Sequence, residues 1–282
     1  FGGPTIRLLA SLLKNGAKEE VTASGDGASP LFKGGKGDWV NSVTGLCSPN
    51  NGSTLYLVLD KYNLDALLLD VCLAFAGIAG NSAANGFLDF HLEQFGISSV
   101  PGEETDLSAM KASLEKIMST GTDNAAYDLS PYGCAELNKR IETVKGVYYF
   151  SYSYCTTKDG FLASNQVPQS DTLPVLIPTA YLMGKYTGST ENGLTIDKTW
   201  QPNDGLVNVV SARYPLDEPW QDYNADKIKS DIWNVMPTKE GDHGTVIGLN
   251  ADTQKTHSFY TDLFTMIDAV PRERKYYFVS PF

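Results

Sequence analysis

The sequence predicts an α/β fold in which helices and strands alternate along a single chain. Three stretches carry this reading. Ile6, Leu9, Leu12 and Leu13 share one helical face and Asn15-Gly16 supplies a stop, so a helix begins almost at residue one. Val147-Tyr148-Tyr149-Phe150-Ser151-Tyr152-Ser153-Tyr154 is an aromatic-rich run of the kind that fits a pleated, half-buried surface. Phe259 to Ile267 reads as a closing amphipathic helix. Such alternation is resolved by helices layered on a sheet.

The remaining elements follow in order. Gly25 to Gly37 is glycine-rich and loop-like, and Trp39 to Cys47 reads as a strand that ends at the turn Ser48-Pro49-Asn50-Asn51-Gly52. Leu64 to Ile78 is apolar on nearly every side, with Gly77, Gly80, Gly86 and the small residues 82–84 loosening its C-terminal flank. Helical periodicity returns at Phe87 to Phe95, at Leu107 to Ile117 and around Tyr127 to Ile141. Leu206 to Ser211 and Thr245 to Leu249 read as two further short strands. There is no internal repeat and no low-complexity segment.

The 282 residues, 42% apolar and 20% charged, suffice to bury a sizeable core. A net charge of −11 without a run of Lys or Arg argues against a nucleic-acid partner, which requires clustered positive charge. The longest apolar stretch, Ala66 to Gly80, contains Asp70 and falls short of the roughly 20 residues of a membrane-spanning helix. Cys47, Cys72, Cys134 and Cys155 form no C-x-x-C pair and no metal-type spacing, which favours buried free thiols.

Candidates for acid–base chemistry are few, because the chain holds three histidines. His91 lies among Phe87, Leu88, Phe90, Leu92 and Phe95, and His257 precedes the closing helix; both read as structural. His243 sits in Lys239-Glu240-Gly241-Asp242-His243-Gly244, a glycine-flanked loop that can present a side chain at a sheet edge. Upstream, Asp204 stands in the turn Pro202-Asn203-Asp204-Gly205, so acid precedes histidine as in the order Ser, Asp, His of one hydrolase class. The plainer reading of Asn-Asp-Gly, a turn and nothing more, stays open at this point. Phe1-Gly2-Gly3, followed at once by a helix, has the form of the second half of a nucleophile elbow. No G-x-S-x-G occurs inside the chain, and Ser258 lacks the glycines of an elbow.

Five segments together resemble the staphylococcal and thermoalkalophilic lipase family, large-lid bacterial lipases with a structural zinc. They are Gly2-Gly3-Pro4-Thr5-Ile6-Arg7-Leu8-Leu9, Ser29-Pro30-Leu31-Phe32-Lys33-Gly34-Gly35, Asp89-Phe90-His91-Leu92-Glu93-Gln94-Phe95-Gly96, Asn203-Asp204-Gly205-Leu206-Val207-Asn208 and Asp242-His243-Gly244-Thr245-Val246-Ile247-Gly248. The resemblance implies an α/β-hydrolase fold, a mostly parallel sheet flanked by helices. Residues 1–282 would form the C-terminal major part of a single domain, with 60–118 as a lid and helical insertion, and the strands before the elbow would lie upstream. It implies a triad of Asp204, His243 and a serine immediately before Phe1, whose backbone N–H would be an oxyanion-hole donor.

It further implies that Asp123 is a zinc ligand, the other ligands, an aspartate and two histidines, lying upstream; on its own, an Asp before a helix is usually an N-cap. The acidic ligands of the family's calcium site are replaced here by Thr245 and Asn250-Ala251, so that site is expected to be absent or weak. The expected activity is hydrolysis of carboxylic esters of the triacylglycerol type at a lipid–water interface, by a secreted protein that includes an upstream segment. Hydrolysis of aliphatic or aromatic polyesters is the alternative activity. A non-catalytic truncated fragment is the alternative from another class.

Overall fold

The computed structural model describes residues 2–62, 125–161, 164–190, 193–249 and 251–272. Phe1, Cys72, His91, Asp123 and Asn250, the apolar run from Leu64, the helices expected at Phe87 and Leu107, and nearly all of the 60–118 insertion lie outside these residues. Among the described residues no helix is long and apolar enough to cross a membrane.

Helix α1 spans Gly2–Asn15 and is followed by α2, Lys18–Ser24. Strand β1, Ser42–Leu46, leads through the predicted turn to α3, Thr54–Tyr62. The expected helix at 127–141 is two helices, α4 (Ala125–Asp128) and α5 (Pro131–Asn138). They separate because Pro131 stands at the second helix's start, where the Ser130 Oγ accepts from the Gly133 N–H at 3.0 Å. The aromatic run becomes β2, Tyr148–Tyr152, and after Ser153 the short β3, Tyr154–Cys155.

Two hairpin-like pairs follow: β4 (Thr157–Asp159) with β5 (Gln166–Pro168), and β6 (Gly188–Ser189) with β7 (Thr195–Ile196). Helix α6, Ile177–Lys185, lies between them in sequence, and α7, Val209–Arg213, comes after. Strands β8 (Trp220–Asp222), β9 (Trp233–Val235) and β10 (Lys239–Glu240) precede the closing helix α8, Thr253–Ala269.

The main sheet runs β1-β2-β9-β8 with every pairing parallel. β3 and β10, the continuations of β2 and β9, pair in parallel as a separate two-stranded ladder. Strand alternation assigns neighbouring side chains to opposite faces. Tyr149 therefore packs with Val43, Trp233, Val235 and Ala10 of α1, while Phe150 packs with Met236 and with Leu263 of α8. The result is helix on both sides of a parallel sheet, which buries the central strands β2 and β9 on both faces.

Three expectations are corrected. α1 buries Pro4, Arg7, Ala10 and Ser11, whereas Leu9 is 53% exposed, so the face toward the sheet is rotated from the leucine stripe. Gly3 lets the start of α1 approach the turn after β1 closely: a Cβ there would meet the Ser48 Oγ at 1.5 Å. The strand expected at Leu206–Ser211 is instead helix α7, because Asn208 is spent on tertiary bonds and its carbonyl accepts the Ala212 N–H at 3.0 Å. Context here overrides the strand preference of Val209 and Val210. The strand expected at Thr245–Leu249 is a short 3-10 turn, Thr245–Ile247, for a reason found in the site itself.

Candidate active site

His243 comes from the loop after β10 and Asp204 from the turn before α7, and backbone bonds tie the two loops together. Asn203 and Asn208 form an isolated antiparallel bridge, and the Asp204 N–H donates to the Val207 carbonyl at 3.0 Å. The turn between them needs Gly205 at φ +96°, where a Cβ would also meet the Leu176 Cβ at 2.9 Å. Asn203 is buried and its Oδ1 accepts the Gly205 N–H at 2.9 Å, closing an Asx turn. The main-chain N–H of His243 then donates to the Asp204 carbonyl at 2.8 Å.

The side chains meet as well. Asp204 Oδ2 lies 2.8 Å from His243 Nδ1. Since a carboxylate only accepts, Nδ1 carries the proton and Nε2 is left as the basic nitrogen of the neutral ring. Asp204 Oδ1 accepts from the backbone N–H groups of Leu206 at 2.9 Å and Val207 at 2.7 Å. The carboxylate is 1% exposed, whereas 28% of the His243 side chain stays open. Burial pulls the imidazole pKa down, but the charge and hydrogen bond of Asp204 together outweigh it, and the pKa lies above the ordinary histidine value.

Asp242, which the sequence did not single out, shapes the histidine loop. Its buried carboxylate takes the N–H of Gly244 at 3.0 Å and of Thr245 at 3.1 Å on Oδ1, and that of Leu173 at 2.8 Å on Oδ2. These bonds curl residues 242–247 into the 3-10 turn that replaces the expected strand. Thr245, at the position where the resemblance calls for an acidic calcium ligand, is used in the same closure: its Oγ1 accepts the Asp242 N–H at 3.0 Å. An acidic residue directly before a loop histidine and three before a threonine is the local signal that could have found Asp242.

A cleft of about 730 Å³ opens beside His243. Leu46, Leu55, Leu59, Leu129, Leu206 and Val207 make it largely apolar, and Gly2 and Gly3 at the α1 N-terminus line it together with His243. Of the candidate residues, Asp204 and His243 are brought together at this cleft, and His257 is not: it is exposed on α8. Cys47, Cys134 and Cys155 are free thiols, the first two buried, as the spacing suggested.

Among the described residues, one group of potential ligands lies close enough to share an ion: Cys47, Asp204 and His243. Two of these already bond each other, so the group does not fit the aspartate and histidine set of a structural zinc.

Gly205→Ala is expected to destabilise the protein by about 1–3 kcal/mol, since it adds a strained positive φ to a collision with Leu176. Thermal denaturation measures this, and an unchanged melting temperature would refute it.

Residues 1–275 match the family model described as lipase-like, C-terminal domain. Lipase 1 of Staphylococcus aureus is 31% identical over 269 residues, which cover 94% of this chain and 37% of that protein. The chain thus spans a little over a third of this relative's length. Among solved structures, EstA from Clostridium botulinum is similar with a TM-score of 0.75 and 31% identity, over 94% of this chain and 62% of that one. Lipase 1 from Pelosinus fermentans gives a TM-score of 0.72 and 32% identity, over 93% and 69%. Staphylococcus hyicus lipase gives 0.68 and 27%, over 95% and 66%. With its parallel sheet between helices and these matches along nearly its whole length, the chain belongs to the lipase-like C-terminal domain family, that of the staphylococcal-type bacterial lipases.

Proposed function

We propose that this chain carries the acid and base of a serine hydrolase that cleaves carboxylic esters, of the triacylglycerol lipase type. The observation that carries the reading is the 2.8 Å bond from His243 Nδ1 to the buried Asp204, at the edge of an apolar cleft. Asp204 holds the ring so that Nε2 faces the chemistry as a base. His243 takes the proton of a serine hydroxyl as its oxygen attacks the ester carbonyl, and returns that proton to the leaving alcohol. Water then attacks the acyl-enzyme with the same base, releasing the acid and the free serine.

The serine itself is assigned to the position immediately before Phe1, with the Phe1 N–H as one oxyanion donor. What supports this is that the α1 N-terminus borders the same cleft as His243, and a helix N-terminus stabilises developing negative charge. The apolar lining suits acyl chains. On the same reading residues 60–118 cover the cleft as a lid, the single hydrolase domain is completed by upstream strands, and the protein acts outside the cell at a lipid–water interface. Asp123 would help hold a structural zinc, which fastens the chain rather than taking part in the reaction, and a family-type calcium site is weak or absent.

The test uses the complete protein with p-nitrophenyl esters of rising chain length. Turnover that increases into the longer chains supports the reading; no hydrolysis of any ester refutes it. Release of soluble acid from a polyester film, with no activity on dispersed triacylglycerol, would replace the lipase reading by the polyester one. The raised His243 pKa adds a pH signature. The base works only as neutral imidazole, so kcat/KM should fall as pH drops through a limb above the usual histidine value near 6.5. Asp204→Asn, which removes the raising charge, should move that limb to lower pH.

A further inference from the structure

The proposed chemistry leaves one neighbour of the pair unused. Cys47 follows directly on β1, is 1% exposed, and holds a left-handed φ of +49°, uncommon for a residue with a side chain. Its main-chain N–H donates to the Tyr152 carbonyl at 2.9 Å, and its side chain packs with Tyr154 and Val246. The backbone is therefore anchored to β2 while the thiol is turned inward, toward the loops that carry acid and base. Its Sγ, a carboxylate oxygen of Asp204 and a ring nitrogen of His243 all lie within 4.8 Å of one another.

The acceptor inventory of Asp204 shows what the thiol can do there. An ionised carboxylate offers about four lone-pair sites. Three are taken: Leu206 and Val207 on Oδ1, and His243 on Oδ2. The carboxylate is buried, so a vacant acceptor site cannot be filled from bulk solvent at no cost. A thiol is a weak donor, but it stays protonated here: burial first, then the charge and acceptor character of Asp204, push the Cys47 pKa well above its ordinary value. A neutral S–H directed at a carboxylate restrains it without competing for the histidine proton.

We propose that the Cys47 thiol is the fourth donor to Asp204 and acts as a positioning residue for the Asp204–His243 pair. The inference rests on the catalytic reading given above. The thiol acts through the carboxylate and not on the reacting atoms. It limits rotation of the carboxylate, and so fixes the direction in which Nε2 points. It also shares the carboxylate charge, which tempers the pull of Asp204 on the imidazolium.

The complete enzyme is compared with Cys47→Ala, Cys47→Ser and His243→Ala on a soluble p-nitrophenyl ester, with proton NMR of the His243 Nδ1–H. Cys47→Ala should lower kcat about tenfold, the scale of one hydrogen bond to a charged group, with KM within about twofold. The acidic limb of kcat/KM should move to higher pH, since the carboxylate charge is then less shared, and the Nδ1–H resonance should move with it. Cys47→Ser, which keeps a donor of similar size, should return kcat to within about threefold and restore the limb. An unchanged kcat and resonance in Cys47→Ala would overturn the inference. So would equal losses in the Ala and Ser variants that track a loss of folded protein, because that pattern is structural. Retained activity in His243→Ala would instead bring down the catalytic reading, and the inference with it.

Discussion

His243→Ala in the complete enzyme is expected to lower kcat/KM for a soluble ester by about 10⁴-fold or more, with the fold retained. The side chain lies at the edge of the cleft with 28% of its surface open, so truncation removes the base at little packing cost. Asp204→Asn should approach the same loss by a different route. Its carboxamide is nearly isosteric, but an NH2 group facing Nδ1 favours the tautomer with the proton on Nε2, where it cannot act as base. The Asn variant also faces the Leu206 and Val207 N–H groups, so those must keep the carboxamide oxygen for the turn to survive. Single-turnover kinetics together with thermal denaturation separate chemistry from folding. Either variant with more than about a tenth of the parent kcat/KM would remove that residue from the proposed machinery.

Phe150→Ala is expected to cost about 3–5 kcal/mol of stability, a large share of the roughly 5–15 kcal/mol that holds a domain folded. Phe150 is 0% exposed in the middle of β2, with both strand neighbours hydrogen-bonded, and its ring meets that of Tyr223 edge to face at 6.3 Å. Removing it opens a cavity between the sheet and α8 that the parallel ladder cannot collapse into. Phe264→Ala, on the same helix but 61% exposed, is the matched control and should change stability by less than about 0.5 kcal/mol. Equal midpoints for the two variants in chemical denaturation would contradict the assignment of this core.

Several elements were legible because their signals are local. The run at 147–154 carries strand propensity on Val147 and its five aromatic residues, and it is found as β2 and β3. The helix stop at Asn15-Gly16 and the turn at 48–52 depend on glycine and asparagine chemistry a few residues long. The two runs misread as strands failed for a common reason. Asn208 and Asp242 bond residues that propensity does not see, Thr54 and Trp200 in one case and Leu173 in the other. Those bonds decide the backbone between them. Likewise the leucines of α1 mark its periodicity, but the residues it buries are Pro4, Arg7, Ala10 and Ser11.

For the site, the sequence alone selected His243 by scarcity and its glycine-flanked loop, and placed Asp204 at a turn whose meaning stayed open. Family resemblance joined them as a pair. Only the tertiary structure showed that they touch, with the carboxylate buried and held by two backbone N–H groups and the ring left open to an apolar cleft. It alone brought in Asp242, and Cys47 from the far side of the chain. The physical reason is range: helix stops, turns and strand patterns are written in neighbouring residues. An acid–base pair depends instead on distance, burial and hydrogen-bond direction between loops that the chain brings together only once the sheet has formed.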